Sequence, residues 1–144
     1  MEIDYVSLND KDFDPELYIS LLVAIAKSDR FNGPPETEYV RNLANRLSVN
    51  FVKVWNDTGK NFSDISRTPS RLTALLLIKD CILLASLDGN FSLDEKQRVY
   101  GFAEKMDIPR SDVDDVEAWL AEYGQLRSRW ADLVGGKSDL NILE

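Results

Sequence analysis

Two pairs of acidic residues recur at the same spacing, and such pairs suit the binding of a divalent cation. Asp29 stands seven positions before Glu36, and Asp88 stands seven positions before Glu95. Each aspartate ends an apolar segment, and each glutamate opens the amphipathic segment that follows. Carboxylate oxygens are the ligands that Ca²⁺ and Mg²⁺ prefer. If the two turns lie at the same end of the fold, these four carboxylates form a candidate metal site for Ca²⁺ or Mg²⁺.

A purely structural interpretation competes with the metal site. Asp88 and Gly89 form an ordinary turn sequence. Ser92 and Glu95 have the spacing of a capping box, in which each side chain bonds the other residue's backbone N–H. Glu36 is less easily explained, because it follows prolines, which cannot play the role of Ser92.

A denser acidic group lies further along the chain and predicts a second kind of site. Its members share one predicted helix: Asp112, Asp114, Asp115 and Glu117. Acids at the start of a helix are stabilised by its dipole, and a charged face is often simply solvated. The functional alternative is a partner-binding surface for a basic protein.

Asp80 interrupts a strongly apolar segment, where the pattern alone predicts an apolar residue. A buried aspartate would need a partner and would be a site candidate. We expect Asp80 to lie on a narrow exposed stripe or to pair with a basic residue. The three tryptophans are spaced with other apolar residues, which favours core packing over an aromatic docking surface; they are Trp55, Trp119 and Trp130.

Catalytic chemistry has little support in the composition. The chain has no histidine, which excludes a Ser-His-Asp triad, a Cys-His pair and a histidine metal site. Cys81 is the single cysteine and lies among apolar residues, so we interpret it as a small buried hydrophobe. No glycine-rich phosphate loop is present. We therefore predict no catalytic and no cofactor-binding residue, and expect a protein that is not an enzyme.

The net charge of −8 restricts the partners. An acidic chain repels phosphate, so nucleic acids and anionic membrane surfaces are disfavoured. We expect a protein partner with a basic surface, and the sequence leaves homodimer formation open. The acidic first residues lack the features of a signal peptide, and no apolar run reaches the ~20 residues of a membrane span. The expected location is cytoplasmic.

The elements that carry these residues form an internal repeat. Residues 17–49 align without a gap on residues 76–108, so that Asp29 falls on Asp88 and Glu36 on Glu95. The aligned apolar positions predict two central helices and two amphipathic ones. We predict an all-α, single-domain bundle of about seven helices, in which two pseudo-repeats pack through the two central helices. The predicted units are repeat one (15–57), a linker (58–67), repeat two (68–122) and a C-terminal helix (125–134).

Local signals predict where the helices begin and end. Asp14 and Pro15 should start the first helix, and Thr68 with Pro69 should start the second central helix. Ser48 is the predicted cap of a short third helix. Gly124 is expected to break or bend the chain before the last helix.

One stretch of the chain resembles the tellurite-resistance TerB-like family. An apolar helix ending in Asp-Gly, a short turn, an acidic cap and an amphipathic helix follow one another in ILLASLDGNFSLDEKQRVYGFAEKMDIP, residues 82–109. The first half carries a weaker version, VAIAKSDRFNGPPETEYVRNLANRLSV, in which Arg30 replaces the glycine of the Asp-Gly pair. The likeness covers roughly residues 15–122.

The resemblance implies an all-helical domain of bacterial stress-response and tellurite-resistance systems, where the family is linked to metal-dependent, membrane-associated complexes. It therefore implies a non-enzymatic binding module. From the resemblance and the acidic turns together, we expect a TerB-like module with a divalent cation, or an adaptor that uses its acidic helix without metal.

Overall fold

The protein, seen in a computed structural model that describes residues 13–27, 33–59, 69–86 and 91–135, is all-helical in those ranges. Six helices and no strand are found there. In chain order they are α1 (Pro15–Ala26), α2 (Pro34–Arg46), α3 (Phe51–Asp57), α4 (Arg71–Ala85), α5 (Leu93–Lys105) and α6 (Arg110–Val134). The predicted all-α bundle is confirmed. None of these helices is both long enough and apolar enough to cross a membrane.

Two helices form the centre of the bundle because they are apolar on every side. Helices α1 and α4 pack on each other, and most residues of both are buried. Helix α1 also contacts α2 and α3, while α4 also contacts α5 and α6. The amphipathic helices α2 and α5 each bury one stripe, which includes Val40 and Ala44 in α2 and Val99 and Ala103 in α5. The apolar positions of the sequence therefore predict the core well.

Some of the predicted helix starts are confirmed. The Asp14 carboxylate accepts the backbone N–H of Leu17 at 3.0 Å, and Pro15 occupies the first turn of α1. Ser92 and Glu95 form the complete predicted capping box at the start of α5.

Other predicted helix starts are wrong. Asn50 caps α3 and accepts from Lys53 N–H, because the predicted cap Ser48 adopts a left-handed backbone conformation (φ 58°). Ser70 caps α4 and accepts from Thr73 N–H, two residues beyond the predicted Thr68.

The predicted break at Gly124 is also wrong. Helix α6 is continuous for 25 residues, so the predicted sixth helix and the predicted C-terminal helix (125–134) are one element. A glycine inside a helix costs only about 1 kcal/mol relative to alanine, which a long helix tolerates. The predicted linker begins at Thr58, outside α3; its residues 60–67 lie outside the described part of the chain.

Candidate functional site

The structure describes two of the four repeated carboxylates. Asp29 and Asp88 lie outside the described residues, while Glu36 and Glu95 lie in the first turns of α2 and α5. Glu95 Oε1 accepts the Ser92 N–H at 3.0 Å, and Ser92 Oγ accepts the Glu95 N–H at 3.2 Å. This reciprocal pair gives Glu95 a local structural role.

Glu36 differs from Glu95 because its helix cap has no side chain. Gly33 is the cap of α2 and makes no side-chain bond. The Glu36 carboxylate folds back against that glycine: a Cβ placed on Gly33 would lie 2.6 Å from Glu36 Oε2. Oε2 is buried, and no donor within the described residues bonds it. Of the two repeated acids that the structure describes, Glu36 is therefore the one that local hydrogen bonding leaves unexplained.

A complete metal centre is not assembled by the described residues. No group of three or more acidic or cysteine side chains in that part of the chain is arranged to hold an ion. A donor set that combined Glu36 with Asp29 or Asp88 would involve residues outside the described ranges.

The acidic residues of α6 bind basic side chains of the same protein. Asp112 pairs with Arg71 at 2.9 Å. Lys96 contacts Glu117 at 2.8 Å and Asp114 at 3.4 Å. These pairs connect α6 to α4 and to α5.

The remaining contacts of this acidic group refine its electrostatics. Tyr100 donates its hydroxyl to Asp114, and this bond lowers the pKa of the Asp114 carboxyl. Asp115 has no ion-pair partner among the described residues and faces an open groove. Much of the negative charge is thus neutralised within the fold, while the predicted partner-binding role of these acids stays a prediction.

Asp80 is fully buried, so the predicted exposed stripe is wrong and the predicted basic partner is present. Lys79 Nζ lies 2.9 Å from Asp80 Oδ1, and the Tyr39 hydroxyl donates to the same oxygen at 2.7 Å. Burial raises the pKa of the Asp80 carboxyl well above its ordinary value. Burial, with the nearby positive charge of Arg46, lowers the pKa of Lys79 to about 8. The group joins α2 to α4 within the core.

Cys81 is buried as predicted. Its side chain has no exposed surface, and burial, with the neighbouring Asp80, raises the pKa of the thiol. The protonated thiol is a poor nucleophile and a poor metal ligand.

The largest departure from the sequence prediction is an exposed apolar stripe on α6. Successive members are four, three, four and three residues apart, the spacing of a coiled-coil seam. They are Trp119, Tyr123, Leu126, Trp130 and Leu133. Four of them are strongly exposed: Trp119 by 47%, Leu126 by 59%, Trp130 by 43% and Leu133 by 79%. We call this set the α6 stripe.

Two expectations are corrected by the α6 stripe. Core packing was predicted for the tryptophans, yet only Trp55 packs on the core, while Trp119 and Trp130 are exposed. The predicted break at Gly124 also divided the heptad pattern into two short pieces. Reading 116–133 as a single helix would have revealed the pattern from the sequence.

An open groove of about 360 Å³ runs beside the N-terminal part of the α6 stripe. Its walls come from α4 and α6, and the lining combines apolar and charged side chains: Arg71, Leu75, Asp112, Asp115, Val116 and Trp119. Trp119 therefore belongs to both the groove and the stripe. Together they form one continuous surface with an apolar centre and an acidic edge.

Comparison with known proteins assigns no relative to this chain. No family model matches it, and neither does a curated protein or a solved structure.

Proposed function

We propose that this protein is a non-enzymatic protein-binding module whose contact surface is the α6 stripe with its adjoining groove. The observation that supports this most strongly is the exposure of four large apolar side chains at heptad spacing on one helix. Single exposed apolar residues are common, but a contiguous row of them marks an interaction surface.

The composition of the surface supports the proposal. Tryptophan and tyrosine are enriched where binding energy is concentrated in protein interfaces. The rings of Trp119 and Tyr123 lie 5.8 Å apart, so the stripe begins with a preformed aromatic pair. Arg71, Asp112 and Asp115 stand at the edge of the groove, where the rim of an interface is ordinarily polar. Asp112 is paired with Arg71, so the uncompensated negative charge of this rim is that of Asp115. An acidic rim favours a partner with basic residues.

Leu126→Glu tests the surface. The side chain is 59% exposed, so the variant should fold, while a charge placed in the middle of the stripe should prevent apolar contact. Gln125→Glu adds the same charge to the neighbouring exposed position outside the stripe and serves as the control. Affinity capture from native cell extract, with quantitative mass spectrometry, should show partners retained by wild type and Gln125→Glu but lost by Leu126→Glu. Identical partner sets for all three, together with a wild type that does not associate with itself, would contradict the proposal.

A divalent cation at the acidic turns, as in the TerB-like expectation, is a second candidate function, and Glu36 supports it. A buried carboxylate oxygen without a donor is the kind of atom that a bound ion satisfies. Titration with Ca²⁺ or Mg²⁺, followed by NMR, should shift the backbone amide signal of residue 36, and the shift should be much smaller in Glu36→Gln. Glu38→Gln is the matched control, because that exposed glutamate of the same helix pairs with Arg41 and is not one of the repeated acids. Unchanged Glu36 signals at millimolar metal would refute the metal site.

We also propose that the bundle is a duplicated unit, as the aligned sequence predicts. The two halves make matching contacts, which support the proposal. Helix α1 contacts α2 and α3, and helix α4 contacts α5 and α6. Ser48 and Asp107, which occupy equivalent positions in the alignment, both have positive φ (58° and 62°). The residues that follow them make the same bond, Val49 N–H to Ala44 C=O and Ile108 N–H to Ala103 C=O.

A further inference from the structure

We propose that the α6 stripe pairs with the same stripe of a second copy of this chain, the two helices running antiparallel. This inference rests on the proposed function, since it identifies the protein that the stripe binds.

The heptad register defines which layers meet. Val116, Tyr123 and Trp130 occupy a positions, and Trp119, Leu126 and Leu133 occupy d positions. In an antiparallel pair, an a residue packs beside a d residue of the other helix. Centring the pair between Gly124 and Gln125 brings all six positions of each copy into contact. The layers are then Tyr123 with Leu126, Trp119 with Trp130, and Val116 with Leu133, each formed twice. The seam extends over roughly 26 Å at 1.5 Å per residue.

The charge along α6 favours the antiparallel orientation over the parallel one. The N-terminal half is acidic, whereas the C-terminal half carries Arg127 and Arg129. Parallel pairing would still set Glu122 beside Arg127 of the other copy, but it would align the acidic segments 112–117 of the two copies side by side. Antiparallel pairing separates those segments and places each acidic half opposite an arginine-bearing half. In the register above, Glu122 of one copy flanks Arg129 of the other. Both are exposed, and neither has an ion-pair partner among the described residues.

The groove between α4 and α6 lies where the C-terminal part of the second helix would be seated. In this register, Trp130 and Leu133 of the second copy reach Trp119 and Val116, which line the groove. A single two-helix seam is a small interface, so we expect a dissociation constant on the order of micromolar.

Sedimentation equilibrium of the purified full chain, from low micromolar to submillimolar concentration, tests the dimer. Wild type and Gln125→Glu should show a concentration-dependent monomer–dimer equilibrium. Leu126→Glu should weaken association by about 100-fold, since it places a charge in a central layer. A wild-type chain that stays monomeric throughout, or a dimer unaffected by Leu126→Glu, would overturn the proposal.

Two charge reversals test the orientation. Glu122→Arg and Arg129→Glu should each weaken the homodimer by about tenfold, because two like-charged pairs replace two opposite ones. An equimolar mixture of the two variants should restore association as a heterodimer, in which opposite charges meet again. In a parallel pair Arg129 would face Val134, so an Arg129→Glu variant that dimerises as wild type would overturn the antiparallel arrangement. Circular dichroism melting establishes that each variant is folded.

The outcomes separate this inference from the proposed function. A monomeric wild type that still captures a different protein through the stripe would overturn only the self-pairing. Loss of both self-pairing and stripe-dependent capture would overturn the two proposals together.

Discussion

The hydroxyl of Tyr39 in α2 donates a hydrogen bond to the carboxylate of Asp80 in α4, at 2.7 Å. This bond reaches across the core between the two halves of the chain and ends on an aspartate with no exposed surface. The same Asp80 oxygen contacts Lys79, and the other oxygen, Oδ2, has no partner among the described residues. A buried polar group that loses a hydrogen-bond partner destabilises the folded protein, so this cluster constrains how the helices pack.

Removing the donor of that bond should destabilise the protein. Tyr39→Phe leaves the Asp80 oxygen with one fewer partner, and we expect a loss of about 1–3 kcal/mol in the free energy of unfolding. Urea denaturation followed by circular dichroism measures it. Tyr100→Phe is the matched control, since it removes a hydroxyl that donates to the exposed Asp114 and should cause a smaller loss. Equal losses from the two variants would contradict the assigned role of the buried bond.

Stability should depend on pH through Lys79. Its pKa is about 8 in the folded protein against 10.5 for the free side chain, so between these values the folded state binds fewer protons than the unfolded state. The free energy of unfolding from this group therefore rises with pH across that window, by on the order of 3 kcal/mol in full. Comparing denaturation at several pH values in wild type and Lys79→Met isolates the effect, and the variant should lack the rise.

The Cys81 thiol changes the free energy of unfolding with pH in the opposite direction, so its contribution is best removed from that comparison. Its pKa is raised in the folded state, so stability is lost as pH rises through the ordinary thiol value of 9.0. Measuring both proteins in a Cys81→Ala background removes this contribution. An identical pH dependence with and without Lys79 would show that the buried amine is not the source of the rise.

The paired left-handed residues predict an unusual response to glycine. A side chain at positive φ is strained, by roughly 1–2 kcal/mol for most residues, and glycine relieves that strain. Ser48→Gly and Asp107→Gly should each raise the free energy of unfolding by up to about 1 kcal/mol, despite the greater freedom of glycine in the unfolded chain. Thermal melting measures both, and Ser48→Ala and Asp107→Ala, which retain a Cβ, should give no such gain. If one glycine variant raised the free energy of unfolding and the other lowered it, the result would count against the structural equivalence of the two turns.

The capping box predicts a difference between the two amphipathic helices. Ser92→Ala removes the oxygen that accepts the Glu95 N–H and should lower the free energy of unfolding by about 1 kcal/mol. Gly33→Ala, at the equivalent cap of α2, removes no side-chain bond and displaces only the flexible end of Glu36. Chemical denaturation of the two variants should show the larger loss in the free energy of unfolding for Ser92→Ala. A larger loss at Gly33 would show that the Glu36 carboxylate is firmly held in place.

The sequence predicted the parts of the fold that depend on neighbouring residues. Asp14 beside Pro15, and Ser92 three positions before Glu95, carry their capping chemistry locally, and both caps are confirmed. Ser48 is not the cap of α3, because the chain needs a left-handed residue there to leave α2, and Asn50 takes over the capping. The left-handed residue belongs to the local bond pattern that ends α2, in which Val49 N–H bonds Ala44 C=O, and it carries a serine where glycine is usual, so the residue type does not signal it.

The candidate site was the harder part to predict. Exposure of Trp119 and Trp130 depends on where α6 lies relative to α4 and α5, and helical spacing alone does not distinguish a buried stripe from an exposed one. The apolar pattern marks Asp80 as anomalous, but its hydrogen-bond donor Tyr39 is distant in the chain and close in space, so the pattern does not identify it.

The mutual burial of α1 and α4 has a consequence for how the chain can be divided. Each is apolar on all sides and is covered largely by the other and by its own flanking helices. A chain cut between Gly59 and Pro69 would yield two fragments, each with an uncovered central helix. Such fragments should aggregate separately and reassemble when refolded together, which would make the protein suitable for fragment complementation.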